Sequence, residues 1–171
     1  MRNSTMPPVL AAACVLGLLA GLQPTDARAA SQRARHIRPS GICEAPLPVY
    51  DAYLRKSPQA VTNTGDETVF VNCAMPADPV GDLGSAWVEV RIQSTVAANT
   101  SVTCTLVTGS ADAPVYDAFS RPLAPYGNNW FTWAGLDKLS IDGLFAVMCA
   151  LPPGVQLTGL YAKESDSAGG I

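Results

Sequence analysis

Few side chains in this 171-residue chain are equipped for acid-base or nucleophilic chemistry. His36 is the only imidazole, and it stands among Arg33, Arg35 and Arg38 near the N-terminus. Neither a Ser-His-Asp nor a Cys-His arrangement is therefore expected on the body of the protein. G-x-S-x-G, the phosphate-binding P-loop, H-E-x-x-H and G-x-G-x-x-G are all absent. Sugar hydrolysis by a carboxylate pair is the enzymatic scheme that needs no histidine. Glu67, Glu89, Asp117, Asp137 and Asp142 are available for it, but nothing in their spacing sets two of them across a cleft. Residues 137–143 and 78–84 carry Asp and Gly that could hold calcium through loop oxygens. Neither follows the D-x-[DN]-x-[DN]-G order, and the same residues suit ordinary turns. The expectation is a non-catalytic protein with no cofactor and no metal site.

The sharpest local signal is Tyr126-Gly127-Asn128-Asn129-Trp130-Phe131-Thr132-Trp133. Flat rings stack on sugar faces and amides bond hydroxyls, so Tyr126, Asn128, Asn129 and Trp130 form a candidate ligand platform. If the segment is a strand, Phe131 and Trp133 share one face and belong in a core, leaving Trp130 as the lone outward ring. Simple loop anchoring is the third reading. Asn99-Thr100-Ser101 has the form of a glycosylation acceptor and reads more simply as a turn.

Residues 1–29 explain part of the 48% hydrophobic content. Arg2 precedes an uncharged apolar run over residues 9–22, and Ala27-Arg28-Ala29 places small residues where a signal peptidase reads them. A secretory signal cleaved after Ala29 is expected. The 14 apolar residues would span about 21 Å of helix, against about 30 Å of hydrocarbon, too short for an anchor. Cys14 follows Ala11-Ala12-Ala13, as a lipidated cysteine would, but the apolar run continues through Leu22 where a mature lipoprotein should already have begun. The mature chain is thus expected to be secreted or periplasmic, without a transmembrane anchor.

Loss of the signal leaves Cys43, Cys73, Cys104 and Cys149 of the five cysteines. An even set in an oxidising compartment predicts two disulfides, with three possible connectivities. No pair has the C-x-x-C spacing of a zinc site. An internal echo bears on the pairing. Val71-Asn72-Cys73-Ala74-Met75-Pro76 and Val147-Met148-Cys149-Ala150-Leu151-Pro152 share V-x-C-A-[ML]-P, and one further cysteine precedes each. Equivalent halves would join Cys43 to Cys73 and Cys104 to Cys149.

The elements that must position these groups read as strands. Residues 68–75 set Val69, Val71 and Cys73 against Thr68, Phe70 and Asn72, and residues 86–93 set Val88, Val90 and Ile92 against Trp87, Glu89 and Arg91. Residues 101–107 turn Val102, Cys104 and Leu106 inward. All three are period-2 patterns of half-buried strands. Residues 144–151 are nearly all apolar, as expected of a central strand covered on both sides. Residues 155–162 are expected to place Val155, Leu157 and Tyr161 on one face. Weaker strands fall at residues 46–50, 60–63, 115–119 and 130–133, and short helical turns at 49–56 and 137–141. Turn clusters separate them, among them Asn63-Thr64-Gly65-Asp66 and Pro152-Pro153-Gly154. The fold class is all-β: a two-sheet antiparallel β-sandwich stabilised by two disulfides, its topology undecided between jelly roll and immunoglobulin-like.

The organisation expected is a signal at 1–29, a basic disordered arm at 30–40, one β-sandwich domain at 41–164 and a flexible tail at 165–171. The net charge of −3 conceals this arm. From Gly41 onward 6 Lys and Arg face 13 Asp and Glu, a balance of −7. Such a body excludes general nucleic-acid binding, which needs a basic face.

The cysteine before V-x-C-x-M-P at residues 71–76, Val102-Thr103-Cys104-Thr105-Leu106, Cys149-Ala150-Leu151-Pro152-Pro153 and the late Leu160-Tyr161-Ala162-Lys163-Glu164 resemble small exported four-cysteine proteins of proteobacteria and myxobacteria. The resemblance covers residues 42–164 and implies a two-disulfide β-sandwich. It carries over no activity, ligand or catalytic residue. The functional expectation is an exported binding module whose partner is a glycan or an envelope protein. The alternatives are a structural or surface-assembly protein and, behind it, a small glycan-active hydrolase.

Overall fold

The computed structural model describes residues 32–75, 84–137 and 144–166. The expected signal lies outside these residues, as do most of the two Asp/Gly segments considered for calcium and most of the expected tail. Among the described residues eleven strands form two antiparallel sheets. Sheet I runs in the order β3 (Leu54–Lys56), β4 (Val61–Asn63), β11 (Val155–Asp166), β6 (Gly84–Ser94) and β9 (Asn128–Asp137). Sheet II runs β2 (Cys43–Glu44), β5 (Val69–Ala74), β10 (Ala146–Leu151), β7 (Thr100–Ser110) and β8 (Ala113–Leu123). The eight strands from β4 to β11 thus alternate between orders 4-11-6-9 and 5-10-7-8. That is the double Greek key of a jelly roll, which resolves the topology left open by strand counting.

The core lies between the sheets. Val88, Val90 and Ile92 from β6 face Val69, Val71, Val102 and Leu106 of sheet II, all fully or almost fully buried. Each such side chain contributes about 1.5–3 kcal/mol of burial free energy. Phe131 and Trp133 of β9 join Phe119 of β8 in an aromatic cluster with centroids 5.0–6.4 Å apart. The Trp133 indole N–H donates to the Asp117 carbonyl at 3.2 Å, satisfying its one polar atom.

Both disulfides form as the echo predicts, Cys43 with Cys73 and Cys104 with Cys149. The reason is a local two-fold relation. The two V-x-C segments are β5 and β10, paired antiparallel about Asn72 opposite Met148, so that Val71 faces Cys149 and Cys73 faces Val147. The same dyad carries β2 onto β7, and each disulfide joins cysteines directly opposite one another on neighbouring strands.

Several expectations are corrected. Residues 30–40 were expected to be a disordered basic arm, yet Gln32–Ile37 form β1, which pairs with β11 from Leu160 to Ser165. A helical turn at Pro39–Ile42 follows. Charge density suggested solvation, but the open edge of β11 beyond its short pairing with β4 supplies backbone partners for this segment. The strand expected at 46–50 is instead a bend at 46–47 leading into a 3-10 helix over Pro48–Tyr53, started by a proline whose fixed φ suits a first helical position. β10 is central, but it is not covered on both faces: Ala146, Met148 and Ala150 are half-buried on the outer side. In β11 a bulge between Leu157 and Gly159 shifts the register. Val155 and Leu157 point inward, but beyond the bulge Leu160 and Ala162 take the inner face and Tyr161 turns outward.

The turn joining β10 to β11 has a strict backbone requirement. Val155 N–H donates to Pro152 O at 3.1 Å, with Pro153 and Gly154 in the central positions and Gly154 at φ 71°. This is the type II arrangement that calls for glycine. A Cβ at Gly154 would also collide with the Val96 side chain. Gly154→Ala should lower the unfolding free energy by about 1–3 kcal/mol, read from urea midpoints. An unchanged midpoint would contradict this turn geometry.

Candidate functional site

The outward face of sheet I collects the polar and aromatic side chains that alternate with the core. Register fixes which of them are neighbours. Asn128 of β9 stands opposite Gln93 of β6, and Gln93 opposite Gln156 of β11. Gln156 Nε2 donates to Gln93 Oε1 at 3.1 Å, and Thr62 Oγ1 of β4 donates to Gln156 Oε1 at 3.1 Å. One step along the strands, Trp130 is opposite Arg91, which is opposite Gly159. The next row runs Thr132, Glu89, Tyr161, His36 across β9, β6, β11 and β1.

These rows enclose two adjoining hollows. One, of about 470 Å³, is bounded by His36, Glu89, Arg91, Trp130, Thr158 and Tyr161. The other, of about 480 Å³, is bounded by Arg38, Ser57, Gln59, Gln93, Gln156 and again Arg91 and Thr158. Arg91 and Thr158 bound both, so the hollows lie side by side on this face and are taken together as a groove. Between Gln156 and Tyr161 it follows β11 for roughly 16 Å, at about 3.3 Å per residue. Gly159 at the bulge carries no side chain and keeps the middle of the groove open.

The aromatic surfaces are held in place. Trp130 is 41% exposed, with the Arg91 guanidinium 5.2 Å from its ring centroid. The His36 and Tyr161 rings lie 4.7 Å apart at 51°. Glu89 is the one carboxylate among the described residues bounding the groove. Hydrolysis by a carboxylate pair needs a second one about 5–9 Å away. Among the described residues no group of three His, Cys, Asp or Glu side chains could hold a metal ion.

The structure divides the four platform residues. Trp130 bounds the groove and Asn128 continues the same face beside Gln93. Asn129 does not belong to it: its Nδ2 donates to Pro122 O at 3.0 Å and its Oδ1 accepts from Trp130 N–H at 2.9 Å. Tyr126 sits in the turn before β9 with φ 53°, exposed and apart from the residues bounding the groove. The Trp130-outward, Phe131- and Trp133-inward arrangement is the one expected if the segment is a strand.

His36, Arg38, Tyr161 and the Gln93 and Gln156 pair were not anticipated as site residues. Glu89 and Arg91 had been assigned to an outward strand face, but nothing in the sequence joined that face to Trp130. The signal available was the matching outward parity of β6 and β9.

No family model matches the chain, and no curated protein does. Among solved structures it is similar to the C-terminal carbohydrate-binding module of a marine laminarinase from Zobellia galactanivorans, at 12% identity and TM-score 0.45, covering 76% of this chain and 98% of that one. It is also similar to a family 11 carbohydrate-binding module from Clostridium thermocellum in complex with a β-1,3-1,4-mixed-linked tetrasaccharide, at 9% identity and TM-score 0.38, covering 82% and 88%. The Tobacco streak virus coat protein matches at 16% identity and TM-score 0.35, covering 88% and 94%. At these values the similarities carry no argument about function.

Proposed function

We propose that the protein is an exported, non-catalytic module that binds a glycan chain along the outward face of sheet I. The observation that supports this reading is the open groove in which an exposed Trp130 stands in line with amide and hydroxyl side chains. An indole face suits the apolar face of a sugar ring, and Gln93, Gln156, Thr158 and Asn128 supply the paired donors and acceptors that hydroxyls need. A groove open along the sheet suits a chain of sugars better than a single buried one. The two disulfides agree with an oxidising compartment. Among the described residues one carboxylate, Glu89, bounds the groove, and this favours binding over hydrolysis.

The test is a titration of tryptophan emission against a panel of soluble polysaccharides, with affinities from calorimetry. At least one glycan should shift the emission, and Trp130→Ala should weaken its binding by about 30-fold, the effect of truncating a central aromatic anchor. Because Trp130 lies on the surface, the same variant should keep its melting temperature within a few degrees. Absence of binding across the panel would end the glycan reading.

A further inference from the structure

We infer that the glycan carries carboxylates, so that the groove selects an acidic, uronic-acid-containing polysaccharide. This rests on the glycan-binding reading and narrows it. The starting point is where charge sits. From Gly41 on the chain has only 6 Lys and Arg against 13 Asp and Glu. Three of those six lie on the outward face of sheet I. Arg91 is on β6, Lys163 follows Tyr161 at the next outward position of β11, and Arg55 of β3 is opposite Thr62. The residue that follows the strand once read as a stray basic arm, Arg38, bounds the same hollow as Arg91. Among the described side chains of this face Glu89 is the sole carboxylate. A cationic face on an acidic body attracts anions while the rest of the surface repels them.

The two arginines are suited to carboxylates in particular. A guanidinium offers a planar fork of N–H donors that matches the two oxygens of a carboxylate. Arg91 is steadied by its stack on Trp130, which spends no N–H donor and reduces the freedom lost on binding. Among the described residues Arg38 is held by one long 3.5 Å hydrogen bond, from Nη1 to Pro58 O. Among the described residues, no carboxylate forms an ion pair with either guanidinium. Trp130 accordingly has two tasks, presenting a ring to the sugar and fixing the cation that reads its acid group. Glu89 remains as an acceptor for hydroxyls.

The experiment uses polygalacturonate, alginate and hyaluronan oligomers, each paired with its methyl ester, which keeps the backbone and removes the charge. A sulfated glycan, a DNA oligonucleotide and the neutral panel complete the set. At least one free acid should bind about tenfold or more tighter than its ester. Raising NaCl from 50 to 500 mM should weaken that acid several-fold and leave neutral binding nearly unchanged. Arg91→Gln should bring acid and ester together, whereas Arg91→Lys should keep part of the gap. If the esters bind as well as the acids, the acidic-ligand inference falls and glycan binding stands. If the sulfated glycan or DNA binds as tightly as the best acid, the face is a general polyanion surface and the inference falls. If no carbohydrate binds, both fall.

Discussion

Replacing Cys104 and Cys149 together by alanine should lower the unfolding free energy by about 4 kcal/mol. The two residues face each other across β7 and β10 in the middle of sheet II and are fully buried. Their bond closes a loop of 45 residues. The chain-entropy account assigns such a loop about 4 kcal/mol, and slightly less to the 30-residue separation of Cys43 and Cys73. A domain of ordinary stability has only about 5–15 kcal/mol in total, so the loss approaches the margin on which folding depends. The measurement is a urea titration of oxidised wild type and the double variant under identical conditions. A difference below about 1 kcal/mol would mean that the bond does not constrain the unfolded chain. The Cys43 and Cys73 pair should behave differently in kind, because β2 is only two residues long. Removing it should loosen the segment from Gln32 to Glu44 and carry His36 and Arg38 away from the groove.

Phe131→Ala should be of similar size, about 3–5 kcal/mol. Phe131 is 1% exposed, and its ring packs 5.2 Å from Phe119 on the opposite sheet and 6.4 Å from Trp133 on its own strand. Truncation would empty the centre of the cluster that joins β8 to β9, where surrounding strands cannot collapse without breaking their ladders. The melting temperature should fall by roughly 10–20 °C, and the near-ultraviolet circular dichroism should lose intensity as Phe119 and Trp133 become less ordered. Phe131→Leu, which keeps most of the volume, should cost less than about 1.5 kcal/mol. Equal losses in the two variants would show that the site tolerates an empty centre no worse than a changed shape. Trp130, the adjacent residue, separates the two roles of the strand: its truncation should affect ligand and spare stability.

Strand alternation made the core legible wherever the ladder was regular. Val88, Val90 and Ile92, or Val102, Cys104 and Leu106, needed no more than period-2 reading, and the echo around Cys73 and Cys149 contained the pairing of both disulfides. The reading failed where geometry depends on a partner strand. Tyr161 was grouped on one face with Val155 and Leu157 because their parity matches, and only the register against Ile92 and Arg91 of β6 exposes the intervening bulge. His36 was set aside with its neighbouring arginines because no local pattern tells a solvated basic segment from one that finds an edge far along the chain, as His36 does opposite Tyr161. The groove itself draws on β1, β6, β9 and β11, whose adjacency follows from the jelly-roll path and from no single stretch of chain.

The place of β11 in sheet I has a kinetic consequence. This last strand is not an edge addition but the middle of the sheet, flanked by β4 and β1 on one side and β6 on the other. Thr62 meets Gln156 across 94 residues of sequence, so the contact order is high and folding should take milliseconds to seconds. A chain emerging N-terminus first presents β6 and β9 with a vacant lane between β4 and β6 until residues 155–166 arrive. The groove is therefore the last feature the fold completes, and a chain cut short before Val155 would lack it even with both cystines formed.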